Sequence, residues 1–440
     1  MTALFPLDPP AGWHRLPWTA FREEAASRPG LAVLPVAGLK SDGGGDSLYR
    51  GQRLLLGDLE VSLRGDAAPG GARVLPVFDR VPRLERGQAF CLDEPVARAA
   101  LLEWARSAGS GCGGRIAFLH RDRESGDWLA TVARSLRIGD GFEAFVIDAG
   151  SCSDSRAGGA PSLPDLLREI LRFPRDAPGG ADAPEAFSSR EASSGPPTVG
   201  RFPGKPGRGG GKIALLAVGA IEQHGPHLPV GVDALLGSAL LRACLEDGDA
   251  PEDLWPVPPI WVGKSDEHHD FPGTVWISAD SLREQVLSVA RQLAEWGVGR
   301  LAILNTHGGN GPVLRTTARE IEAAGLLRVR VLAMDAPGEF GAGEARNDIH
   351  GGRHETALME YLAPGLVDRR VADRCWMEDR MPGGALRAEN APATFAWKTS
   401  DLSASGTLGD ATRANPADGR RWFGARVAAL VGQLRGFAGP

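Results

Sequence analysis

The chain has 440 residues, a hydrophobic share of 42% and a formal net charge of −6. That length suits two domains better than one, and the mild acidity gives no electrostatic grip on nucleic acid or an anionic membrane. No apolar run is long enough to span a bilayer. The first ten residues lack the basic start and apolar core of a signal sequence. The five cysteines, Cys91, Cys112, Cys152, Cys244 and Cys375, are scattered with no Cys-x-x-Cys pair. The expectation is a cytoplasmic protein without a disulfide framework, in which any metal is held by histidine and carboxylate.

In chain order, the first half carries short apolar runs at Val33-Leu-Pro-Val36, Leu75-Pro-Val77, Arg115-Ile-Ala-Phe-Leu119 and Phe145-Val-Ile-Asp148. The stretch 151–211 is rich in Pro, Gly and Ser and reads as a linker. One island within it, Leu163 to Leu171, has helical spacing. Ile213-Ala-Leu-Leu-Ala-Val218 then has the continuous apolarity of a buried parallel strand. Leu282 to Trp296 sets Leu282, Val286, Val289, Ala290 and Leu293 on one helical face. Arg300 to Leu304 reads as strand, Pro312 to Ala324 as helix and Val329 to Met334 as strand. This rhythm predicts an α/β fold: a mostly parallel sheet with helices on both faces, a three-layer α/β/α sandwich. In such sheets the chemistry sits beyond the carboxyl ends of the strands.

The two halves also resemble each other. Arg115–Leu119 matches Arg300–Leu304, Phe145–Asp148 matches Leu332–Asp335, Leu75–Val77 matches Trp255–Val257, and Gly87-Gln-Ala-Phe90 matches Gly273-Thr-Val-Trp276. Val33–Val36 precedes a Gly-rich turn much as Leu215–Val218 does. The order and spacing of these matches predict two tandem copies of one fold. The copies are assigned to residues 13–150 and 212–437, separated by the linker 151–211.

Polar motifs follow the strands of the second half. Glu222-Gln-His224-Gly-Pro-His227-Leu-Pro-Val-Gly-Val-Asp233 follows the first. Asn305-Thr-His307-Gly-Gly-Asn310 follows the Arg300 strand, and Asp348-Ile-His350-Gly-Gly-Arg-His354-Glu355-Thr356 comes later. Six of the nine histidines (His224, His227, His268, His307, His350 and His354) lie in such loops. Imidazoles and carboxylates in this mixture suit zinc, manganese or iron, and an aspartate between two ligand sets can bridge two ions. The glycines after His307 could instead cradle a phosphate, but they lack the P-loop Lys-Ser/Thr and the dinucleotide Gly-x-Gly-x-x-Gly pattern.

The Glu222–Asp233 segment resembles the signature of the creatininase, or creatinine amidohydrolase, family. The resemblance continues through Ser265-Asp-Glu-His268-His-Asp-Phe-Pro-Gly-Thr274, Asn305–Asn310, His350–Met359, Trp397–Ser403 and Gly406–Asp410, covering roughly residues 212–435. It implies a three-layer α/β fold, two divalent metal ions and hydrolysis of an amide by hydroxide generated at the metals. By position, Glu222 and His307 would hold one ion, His224 the other, and Asp233 would bridge. Glu355 is assigned as the remaining carboxylate ligand. His350 is assigned as the group that moves the proton to the leaving nitrogen, with His354 second, and His227 and His268 as residues that shape the pocket.

The sequence departs from that family in two loops. Gly308 and Gly309 stand where creatininase itself carries a Tyr-Glu pair whose glutamate is a ligand, and Arg353 stands where many relatives carry glutamate. Relatives with the Gly-Gly-Asn form include deformylases of pterin or flavin precursors and a peptidase that trims a ribosomally made precursor. The expected activity is therefore cleavage of a non-standard amide or a short peptide, with formamide hydrolysis or non-catalytic binding of a partner peptide as alternatives. No nucleic-acid or membrane partner is expected, and a homo-oligomer is compatible with the family. In the first half, Lys40 and Asp42 occupy the places of Glu222 and His224, and Asp122 that of His307. The first half is therefore expected to be a degenerate copy with no metal site, since a lysine repels a cation.

Overall fold

The structure is a computed structural model. It describes residues 15–27, 31–37, 39–40, 72–75, 78, 88–89, 92–112, 114–121, 123–149, 167, 212–334, 347–376, 386–387, 393–394 and 396–439. The expected linker therefore lies outside the described residues, apart from Leu167, which is helical and buried. The chain forms two compact units. One comprises Met1–Trp13 and Glu23–Lys205, the other His14–Arg22 and Pro206–Pro440. Residues 14–22 thus group with the second unit and not with the strands that follow them in sequence.

Helix α1 (Trp18–Ser27) precedes β1 (Leu31–Pro35), β2 (Ala72–Val74), α2 (Glu94–Gly111), β3 (Arg115–His120), α3 (Arg123–Ser135) and β4 (Glu143–Asp148). The sheet of the first unit is parallel, in the order β2-β1-β3-β4. Every residue of β1 and β3 is buried, as expected of central strands covered on both faces.

The second unit contains β5 (Ile213–Val218), α4 (Val232–Glu246), β6 (Leu254–Ile260), α5 (Ala279–Glu295), β7 (Arg300–Asn305), α6 (Gly311–Ala323), β8 (Arg328–Val331), α7 (Arg353–Leu362) and α8 (Pro416–Ala438). Its sheet is also parallel, in the order β8-β7-β5-β6. The three prolines of β6, Pro256, Pro258 and Pro259, are tolerated because β6 is an edge strand, where a missing N–H costs no ladder bond. Helices α4, α7 and α8 pack together as one layer and α5 with α6 as another, which gives the three-layer sandwich. Among the described residues no helix is long and apolar enough to cross a membrane.

The two sheets agree in more than strand order. In the first unit Leu31 pairs with Ala72 and Val36 with Phe78; in the second Ile213 pairs with Leu254 and Val218 with Ile260. In both, the edge strand gains one residue over the length of the pairing. Arg115 faces Glu143 and Arg300 faces Arg328, each at the start of its strand. The short antiparallel contact Leu39↔Ala89 has its counterpart in Ile221↔Val275. Register is set by which face each residue buries, so a shared irregularity of this kind fits two copies of one fold. It also places Lys40 at the register position of Glu222.

Candidate metal centre

The carboxyl ends of β5 and β7 carry the polar loops. After Val218 the chain runs through Glu222 and His224 into α4, whose first turn holds Asp233; a helix amino terminus favours a carboxylate there. After Asn305, His307 projects beneath a short 3-10 turn, Gly308–Asn310. Asn310, fully buried, ties the loops together. Its Nδ2 donates to the carbonyl of Gly219 at 2.9 Å, and its Oδ1 accepts from the Lys264 N–H at 2.9 Å. The third loop is pinned by paired backbone bonds between His350 and Leu408. Gly351 has φ +59°, and an added Cβ would lie 2.9 Å from the His224 carbonyl. A glycine is what lets this loop run against the metal-loop backbone.

These elements bring together Glu222, His224, Asp233, His307, His350 and Glu355. Three overlapping groups have ligand atoms close enough to share an ion: Glu222, Asp233 and His307; His224, Asp233 and Glu355; and Glu222, His224 and His350. His307 Nδ1 lies 3.1 Å from Glu222 Oε1 and 3.5 Å from Asp233 Oδ2. His224 Nε2 lies 3.4 Å from Asp233 Oδ1 and 3.7 Å from Glu355 Oε2. The two oxygens of Asp233 therefore face two different sets of donors.

The hydrogen bonds select the ring atom that each histidine offers. His307 Nε2 donates to the Lys264 carbonyl at 2.8 Å, and His224 Nδ1 to the Glu222 carbonyl at 2.9 Å. The remaining nitrogens, His307 Nδ1 and His224 Nε2, point into the cluster with their lone pairs. His350 Nε2 donates to the Gln223 carbonyl at 2.5 Å, leaving its Nδ1 3.6 Å from Glu222 Oε1. Glu222 Oε1 and Oε2, His224 Nε2 and Asp233 Oδ2 are buried without a hydrogen-bond partner. A buried polar atom left unsatisfied costs about 1–3 kcal/mol, so four in one cluster mark a place built for a cation.

The electrostatics agree. Burial alone would lower the pKa of His224, but Asp233, Glu355 and Glu222 override it and push the imidazole up to about 10. His307 is raised well above its ordinary value for the same reason: burial opposes, and Glu222, Glu267 and Asp233 prevail. Asp233 is raised by burial and by Glu222, with His224 pulling the other way. Without an ion, protons are held where a divalent cation would provide the positive charge.

The remaining candidates fall elsewhere. His354 belongs to none of the three groups. Its ring stacks on Trp422 at 4.9 Å, and burial with Arg426 and Arg353 nearby lowers it to about 2. Arg353 turns toward α8, its guanidinium 2.6 Å from Asp418. His227 bonds Thr356 Oγ1 at 2.8 Å. His268 accepts at Nδ1 from Gln223 Nε2 (2.8 Å) and Thr399 Oγ1 (2.9 Å), which leaves Nε2–H facing Glu222 Oε1 at 3.5 Å. The His350 ring lies between those of His224 and His268, at 4.2 and 4.3 Å.

Sequence reasoning missed Glu267, whose Oε1 lies 3.5 Å from His307 Nε2. A Cβ on Gly309 would collide with that oxygen and with the His307 ring. The glycine that replaces a ligand-bearing position of creatininase is the one that makes room for Glu267.

Comparison with known proteins agrees with this geometry. Residues 207–434 match the family model described as creatininase, creatinine amidohydrolase. The chain belongs to the creatininase family. It is 34% identical over 227 residues to the "Mycofactocin precursor peptide peptidase" of Mycobacterium ulcerans, covering 50% of this chain and 83% of that protein. The protein of the same name from Mycolicibacterium smegmatis is 31% identical over 227 residues, covering 51% and 84%. The "Creatinine amidohydrolase" of Pseudomonas putida is 32% identical over 182 residues, covering 37% and 68%. This creatininase-family chain is accordingly a metal-dependent amidohydrolase, a hydrolase of carbon–nitrogen bonds.

Proposed function

We propose that the second unit is a dinuclear amidohydrolase that cleaves a C–N bond near the end of a peptide. The observation that carries the dinuclear reading is Asp233, with one oxygen toward His224 and the other toward His307, and a member of both the Glu222–His307 group and the His224–Glu355 group. The peptide reading is supported by the 83% coverage of a precursor-peptide peptidase. It is also supported by Gly308, exposed beside buried His307, where an added Cβ would meet nothing within 4 Å. Gly308 thus leaves open space beside His307 that an extended chain could use.

Glu222, Asp233 and His307 would hold one ion, and His224, Asp233 and Glu355 the other. Zinc, manganese or iron bound there would supply Lewis-acid polarisation of the amide carbonyl and a lowered pKa for water. The protein's own groups do the rest. His350 offers Nδ1 to the cluster because Nε2–H is committed to the Gln223 carbonyl. Burial, with His224 beside it, lowers His350 to about 3. It is thus neutral at pH 7, and its Nδ1 lone pair, held toward the cluster, is placed to receive a proton and pass it to the leaving nitrogen once substrate and metal change its surroundings. His354, stacked away on Trp422, is dropped from that role. Glu267 and the Lys264 carbonyl orient His307, and His268 orients the Glu222 carboxylate. The first unit is read as a copy without this chemistry, with Lys40 at the register position of Glu222.

The test is hydrolysis by the full chain loaded with zinc, manganese or ferrous iron. Substrates are short peptides, creatinine and a formamidopyrimidine. The expected result is cleavage of peptide. Turnover of creatinine or the formamide alone would overturn the peptide reading.

A further inference from the structure

We propose that residues 15–22, which precede the first strand of the first unit, are a positioning element of the metal centre in the second unit. The proposal rests on reading Glu222 and His224 as metal ligands.

The segment touches three loops of the second unit, and each of those loops holds the Glu222–Gln223 backbone or side chain through a hydrogen bond. The first contact is a relay through one residue. The Leu16 carbonyl accepts from the Val230 N–H at 2.8 Å, and the Val230 carbonyl accepts from the Glu222 N–H at 2.8 Å. The second is made by Trp18, 6% exposed, whose Nε1 donates to the Ser405 carbonyl at 3.0 Å. The adjoining Gly406 carbonyl accepts from Gln223 Nε2 at 3.1 Å. The third is aromatic. The Trp18 ring meets Phe271 edge-on at 5.1 Å, and Phe21, 1% exposed, lies on Gly273, where a Cβ would strike the phenyl ring. That turn presents Thr274, whose Oγ1 accepts from the Gln223 N–H at 3.2 Å.

These contacts all converge on the two residues that set the direction of the first ligand pair. Gln223 also lends its carbonyl to His350 and its amide to His268. A shift of this dipeptide would move Glu222, His224 and His350 together. Two large aromatic side chains packed onto loops, with a backbone bond at Leu16 and an indole bond at Trp18, are the arrangement that holds a ligand-bearing loop to the tolerance coordination demands. The segment belongs to the catalytic machinery even though the rest of the first half intervenes in sequence.

The experiment uses full-length protein stripped of metal. Zinc affinity is measured by chelator competition, and melting curves are recorded with and without zinc, for the parent, Trp18→Ala, Phe21→Ala, Trp18→Phe and Ile138→Ala. Trp18→Ala and Phe21→Ala are expected to weaken zinc binding about 10–100-fold, while the metal-free melting temperature moves less than the zinc-loaded one. Trp18→Phe, which keeps a ring against Phe271, recovers most of the affinity, and Ile138→Ala, at an exposed position of the first unit, matches the parent. Parent-like affinity in Trp18→Ala and Phe21→Ala overturns the positioning role. So does an equal fall of metal-free and loaded melting temperatures with unchanged affinity, which would mean bulk stability alone. A parent that binds no zinc overturns the metal reading, and this proposal with it.

Discussion

The two units use one scaffold for two ends. Their sheets share strand order, direction, register and even the extra residue on the edge strand. Yet among the described residues the groups able to hold an ion all lie in the second. By register, Lys40 stands where the second unit has Glu222. Buried apolar strands carry the fold, and a handful of residues at their carboxyl ends carry the chemistry.

The comparison breaks most sharply at Asp233. Asp233→Ala removes the carboxylate that faces both ligand sets. It is expected to abolish binding of both ions and to lower kcat/KM by at least about 10²-fold, read from metal content and hydrolysis rates on the same preparation. His350→Gln should separate proton transfer from metal binding. Metal content stays at the parent level while kcat falls about 10²–10⁴-fold. Loss of metal in that variant would instead make His350 a ligand.

A pH series sharpens the electrostatic side. The folded, metal-free protein raises His224 to about 10, above the unfolded value near 6.5. That contribution to stability is fully present below about pH 6.5 and is lost as pH rises through about 10. Asp233, also raised, acts in the same direction, because burial favours its protonated form. The melting temperature of the metal-free protein should therefore fall from neutral to alkaline pH. The increase produced by zinc should grow over the same window, since the ion no longer competes with bound protons. An increase that shrinks with pH contradicts the assignment of His224 as a ligand.

The scaffold side is tested by Leu215→Ala in β5 and Val33→Ala at the matching register position in β1, both fully buried. Leu215→Ala is expected to cost about 2–5 kcal/mol, and Val33→Ala less because it deletes fewer atoms. Each is read by denaturant unfolding. The smallest effect is expected from Lys40→Glu, which restores one carboxylate without its partners and should leave metal stoichiometry unchanged.

Much of this was legible in the sequence because it rests on local pattern. Ile213–Val218 is a strand from its unbroken apolarity, and Arg300–Leu304 is a strand with one residue added. The helix read over Leu282–Trp296 begins earlier, at Ala279, because Ser278 caps it by accepting from the Ser281 N–H. The Val329 strand is shorter than read, ending at Val331, after which Ala333 turns to the side chain of Gln433. Several helices were not read, two of them in the second unit for clear reasons. The segment Val232–Glu246 is too uniformly apolar for a clear period, and Pro416–Ala438 is interrupted by four glycines that blur its stripe.

The site divides in the same way. The loops that carry Glu222, His224, Asp233, His307, His350 and Glu355 stood out by their histidines and carboxylates, and the family resemblance suggested which residue does what. His354 looked equivalent to His350 in the sequence, four residues away on the same motif. The helical turn between them sends it to Trp422. Glu267 was invisible because its partner is forty residues distant and its space is created by Gly309. The seat of Trp18 and Phe21 was invisible because nothing in a local pattern tells a helix to pack on loops more than two hundred residues later.

The central claim is that one intact dinuclear site, bridged by Asp233, serves the whole chain. Elemental analysis of metal per chain in the parent and in Asp233→Ala tests it most directly. The account predicts two ions in the parent and none in the variant. One ion retained in Asp233→Ala, or a parent that holds none, would contradict it.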